Sequence, residues 1–86
     1  MNILQKANEI VNERAEEKER TYGPIADCSE RTAKIMSVLS KKEITILDVY
    51  YFHIASKLAR EAFAHKEDNL LDAAAYIGAL NNFHEH

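Results

Sequence analysis

Apolar positions recur along this chain at helical spacing and almost nowhere at the two-residue spacing of a strand. Ile3, Leu4, Ala7, Ile10 and Val11 fall at three- and four-residue intervals, which line one side of an α-helix. They predict a helix over residues 2–19, ending in a charged run of Glu13, Glu16, Glu17 and Glu19 with Lys18 and Arg20. Such a run reads as a solvated face before it reads as an acidic docking patch. Thr21-Tyr22-Gly23-Pro24 is the clear break. Gly23 is biased to extended backbone by the proline after it, and Pro24 suits the first turn of the next helix. A second helix is expected over residues 25–39, with Ile25, Cys28, Ile35 and Leu39 on one face.

After the polar loop Ser40-Lys41-Lys42-Glu43, Thr45 has the character of an N-cap, with Asp48 placed three residues on as in a capping box. The third helix, residues 46–64, is apolar on nearly all sides through Leu47, Val49, Phe52, Ile54, Leu58 and Phe63. A helix of that kind is central or is shared between subunits. The last helix opens with Asp68 as N-cap. It carries Leu70, Leu71, Ala73, Ala74, Ala75, Ile77 and Leu80, and its small residues, Gly78 among them, permit close approach of a neighbour. The expected fold is all-α, a compact bundle of about four helices ending in a C-terminal helical hairpin, in one domain spanning residues 1–86.

Composition narrows the class of partner. With 47% hydrophobic and 29% charged residues the chain is globular in type, yet 86 residues bury only a small core. Cys28 is the single cysteine, so no disulfide framework supports that core, and a homo-oligomer is expected. A net charge of −3 and a pI near 5.8 speak against a duplex nucleic-acid binder. No apolar stretch approaches the ~20 residues of a membrane span, and the N-terminus lacks the pattern of a signal peptide, so a cytoplasmic protein is expected.

The candidate chemistry lies in the hairpin around a polar turn near His65–Asp68. His53, Lys57 and Arg60 form one stripe of the third helix, and Asn69, Asp72 and Tyr76 one stripe of the fourth. Facing positions of an antiparallel hairpin have a nearly constant index sum, which pairs Arg60 with Asp72 and Lys57 with Tyr76. The bland reading is a semi-buried Arg60–Asp72 clamp. The functional one makes Lys57, Arg60 and Lys66 phosphate ligands, with Asn69 and Asp72 orienting them and Tyr76 or Tyr22 against a base. A Mg²⁺ site from Asp68, Asp72 and Glu61 or Glu67 is geometrically open, but capping explains Asp68 and Arg60 would neutralise Asp72. No metal, cofactor or catalytic residue is expected on this reading. The terminal His84-Glu85-His86 reads as a frayed end.

Tyr22-Gly23-Pro24, Asp48-Val49, Lys57 with Arg60, and Lys66, Asp68-Asn69, Asp72 and Tyr76 together resemble an uncharacterised family of short phage and prophage proteins. That family shows a YG-x-P turn, a DV helix start, a K-x-x-R pair and a K-x-DN-x-x-D-x-x-GY hairpin. Here Ala75 stands where a glycine is expected, Met36 where many relatives have tryptophan, and Pro24 follows Gly23 directly. The resemblance implies a phage-encoded accessory protein that binds a nucleotide or nucleotide-derived signal, as a sponge countering host defence. The hairpin is also loosely similar to MazG-like Mg²⁺-dependent nucleotide pyrophosphohydrolases, whose E-x-x-E and E-x-x-D pairs this chain lacks. A protein-interaction module that inhibits a host factor is the third reading.

Overall fold

A computed structural model describes residues 1–13 and 25–85. Expectations resting on Tyr22, Gly23 and Pro24, or on a first helix beyond Glu13, lie outside the described residues. Four helices are present and no strand among the described residues: α1 (Ile3–Asn8), continued by a π-helical turn (Glu9–Glu13), α2 (Ile25–Ser40), α3 (Ile46–Phe63) and α4 (Glu67–Glu85).

Local chemistry explains where each element starts. Asn2 caps α1 reciprocally with Gln5: its Oδ1 accepts from Gln5 N at 2.9 Å, and Gln5 Oε1 accepts from Asn2 N at 2.8 Å. Thr45 and Asp48 make the expected box on α3, with Thr45 N donating to Asp48 Oδ2 at 2.9 Å and Asp48 N to Thr45 Oγ1 at 3.2 Å. Lys41, at φ 58°, takes the left-handed conformation that ends α2. α4 begins at Glu67, two residues ahead of the helix expected after an Asp68 cap, so Asp68 stands inside the first turn and is not the cap. The turn before it is held by Glu61, which accepts from Lys66 N at 3.1 Å and pairs with His65 Nδ1.

α3 lies against α4, and α1 with its π turn packs against α4 as well. Lys6 joins α1 to the start of α4 through an ion pair with Glu67 Oε1, and Asn82 Nδ2 donates to Asn12 Oδ1 at 2.9 Å near its end. The core is small, centred on Val11, Tyr50 and Ala79, with Val49 and Tyr50 the most enclosed side chains.

Two expectations about faces are corrected. On α2 the inward positions are Ser29 and Ala33, while Cys28 is exposed and Ile35 and Leu39 stand 59% and 78% exposed. α2 therefore turns its small residues inward, where it can approach α3 closely. α3 is not central in one chain either: Tyr51, Phe52, Leu58 and Phe63 are all exposed.

A methyl group at Gly78 would meet Val11 Cγ2 at 3.8 Å, which is ordinary contact. Crowding therefore does not require glycine there, and glycine costs backbone entropy inside a helix. Gly78→Ala should raise the free energy of unfolding by about 0.5–1 kcal/mol. Urea titration checks this, and a loss of stability would mean that α1 sits closer to α4 than described.

Candidate functional site

The facing stripes of α3 and α4 meet, but in a register one turn away from the sequence expectation. His53 and Tyr76 stack with ring centroids 4.5 Å apart and planes 7° from parallel. One turn further along both helices, Lys57 Nζ pairs with Asp72 Oδ2 at 3.0 Å. α4 starts at Glu67, and Asp72 lies at the level of Lys57, not of Arg60. Arg60 is exposed and makes no ion pair among the described residues, so the expected Arg60–Asp72 clamp gives way to a Lys57–Asp72 one.

This ion pair separates two depressions. On one side a cavity of about 360 Å³ opens between the hairpin, α2 and the π turn. Its polar wall holds His53, Lys57, Asp72, Tyr76, Ser29 and Thr32, and its apolar floor includes Ile10, Val11 and Ala79. Ser29, buried on α2, hydrogen-bonds to the Tyr50 hydroxyl, whose pKa is raised chiefly by burial. Burial raises the Tyr76 phenol as well, with Lys57 opposing. The His53 imidazole is pushed below its ordinary value, first by burial and then by the Lys57 ammonium. A neutral ring stacked on a neutral phenol is the resulting state near pH 7.

On the other side an open groove of about 740 Å³ runs along the turn end of the hairpin. Its walls bring together Lys57, Arg60, Lys66, Asn69 and Asp72, with Asp68 beside them. Three cations thus face two carboxylates, and one carboxylate is already committed to Lys57. Lys66 is exposed, and its side chain makes no ion pair among the described residues. Asn69 is buried, and its Nδ2 donates to Ala64 O at 3.4 Å, which ties the groove wall to the turn.

Tyr76 is half-buried and lies in the cavity instead of the groove, within one pair of residues of the cations; Tyr22 lies outside the described residues. Sequence reading did not single out Ser29 as a wall residue, although a serine facing inward on an otherwise small-residue stripe marks it. It also missed Glu61 as the turn clamp, signalled by the i,i+4 spacing to His65. Among the described residues no group of three His, Cys, Asp or Glu side chains is disposed to hold a metal ion.

Four helices with a polar hairpin define an all-helical protein, and none of its helices, among the described residues, is long and apolar enough to cross a membrane. Over residues 2–84 the chain matches the family described as "Domain of unknown function (DUF6378)", and it belongs to that family. No curated protein and no solved structure matches it.

The register is testable by double-mutant cycles. Lys57→Met with Asp72→Asn should show a coupling of about 0.5–1.5 kcal/mol, as for a part-exposed pair. Arg60→Met with Asp72→Asn should show coupling near zero; the reverse pattern would restore the Arg60 clamp.

Protonation gives a second check. The folded-state pKa of His53 is depressed, so its contribution to stability is complete above the unfolded value near 6.5 and is lost as pH falls through the folded value. Glu61 and Glu67 are also depressed, by His65 and Lys6 respectively, and their loss comes in the lower window below about 4.5. Denaturant unfolding at stepped pH should therefore show a decline starting below about 6.5 that His53→Phe removes. An unchanged profile in that variant would place His53 in water.

Proposed function

We propose that this family member binds a nucleotide or a related phosphorylated small molecule, with phosphates in the groove and the base at the edge of the cavity. The observation that carries the reading is the gathering of Lys57, Arg60 and Lys66 on one groove, with two of the three free of any ion pair among the described residues. Arg60 offers a planar fork that matches phosphate oxygens, and Lys66 a mobile point charge. The N-terminus of α4 opens beside them and adds its positive dipole end.

A ring seated by Tyr76 and His53 and a phosphate tail beyond the Lys57–Asp72 pair would span both depressions. Of the two groove carboxylates Asp72 is already held by Lys57, and sequestration is the role this reading favours. A phage-encoded, cytoplasmic, oligomeric sponge that holds a defence signal is the finer form of this proposal.

Calorimetry against mono-, di- and cyclic nucleotides tests it. Binding should weaken about tenfold or more for Arg60→Ala and for Lys66→Ala, the loss of one charge-assisted contact of ~1.5 kcal/mol. Tyr76→Leu should lower the preference for nucleotide over pyrophosphate. No heat from any nucleotide ends the proposal.

A further inference from the structure

Among the described residues, Lys57 and Asp72 alone line both the cavity and the groove. His53 and Tyr76 line the cavity only, and Arg60 and Lys66 the groove only. Three levels therefore follow one another along the hairpin: the ring stack, the ion pair one turn on, and then Arg60 with Lys66. A guest with its base at the first level and its phosphates at the third passes over the ion pair with whatever joins the two. In a nucleotide the joining part is the sugar. One helical turn rises about 5.4 Å, close to the reach of a furanose ring with its glycosidic bond.

The chemistry of the pair suits a sugar better than a phosphate. Asp72 is half-exposed, and a phosphate at its level would meet a like charge. Lys57 Nζ holds its Oδ2 at 3.0 Å, while Oδ1 has no hydrogen-bond partner among the described residues. An ionised carboxylate only accepts hydrogen bonds, and each of its oxygens offers about two acceptor sites. Oδ1 is thus matched by donors that carry no negative charge. The two hydroxyls of a cis-diol are such donors, and their bonds to a carboxylate are charge-assisted. Lys57 meanwhile offsets the repulsion between Asp72 and a phosphate tail, which lets an acid stand this close to an anionic guest.

We infer that Asp72 reads the 2′- and 3′-hydroxyls of the guest's sugar, so that the site takes ribonucleotides in preference to deoxyribonucleotides. An acidic side chain holds the ribose of dinucleotides by the same chemistry in unrelated folds. The inference rests on the nucleotide reading above and adds the class of sugar to it. Asp72 then has two tasks, one oxygen fixing Lys57 and the other selecting the guest.

Calorimetry with ATP, 2′-deoxy-ATP and 2′,3′-dideoxy-ATP, and with the same series on guanine, reads the outcome. Each hydroxyl removed should weaken binding about tenfold. In Asp72→Asn, with its fold checked by circular dichroism, the steps within each series should largely vanish. Should that change unfold the chain, the ¹³C resonance of the native Asp72 carboxyl supplies the second readout. Saturating ATP should move it clearly further than saturating dideoxy-ATP does. Equal affinity across a series, or equal movement of that resonance, overturns the inference and leaves the phosphate groove standing. So does a graded series that persists in Asp72→Asn. If no member of either series binds, the nucleotide reading itself falls and takes the inference with it.

Discussion

The ion pair between Lys57 and Asp72, one turn from the parallel rings of His53 and Tyr76, fixes the height at which α4 lies on α3. A half-buried ammonium between helices is tolerated only when a carboxylate meets it, so the register with Lys57 opposite Asp72 satisfies a demand that a slip of one turn would not. Three features follow from that height. The imidazole of His53 is pressed against Tyr76 and desolvated. Arg60 lies a turn away from the level of Asp72 and lines the groove. The ion pair itself becomes the wall between a mixed polar and apolar cavity and an open cationic groove.

Much of the architecture was legible because it rests on local rules. The capping box at Thr45 and Asp48 and the helical spacing of apolar residues each act within a few positions, and both appear as expected among the described residues. The stripe residues of the hairpin also meet as expected. The register was not legible, because it depends on where the turn closes. Glu61 captures Lys66 N and His65 in the turn that leads into α4 at Glu67, and Lys57 instead of Arg60 comes opposite Asp72. The faces of α2 and α3 were misjudged for a different reason. Hydrophobicity marks a residue for burial without saying whether its own chain or another will bury it.

That ambiguity matters in a chain with so small a core. Val11, Tyr50 and Ala79 form its centre, while Tyr51, Phe52, Leu58 and Phe63 stay in contact with water. Stability and function are then separable by surface. The face of α3 toward α4 sets the groove, and the opposite face presents apolar side chains to water. One helix can serve both because its polar stripe and its exposed apolar stripe lie on different sides of the same cylinder.

The central claim is that the groove at the turn end of the hairpin is lined by more cations than acids, and that a phosphorylated guest uses the difference. Titration of ¹⁵N-labelled protein with a nucleoside triphosphate, followed amide by amide, tests it most directly. Saturable shifts should gather at Arg60, Lys66 and Asn69 and extend to His53 and Tyr76. A spectrum that does not change, or changes only on the far side of α1, would contradict the account.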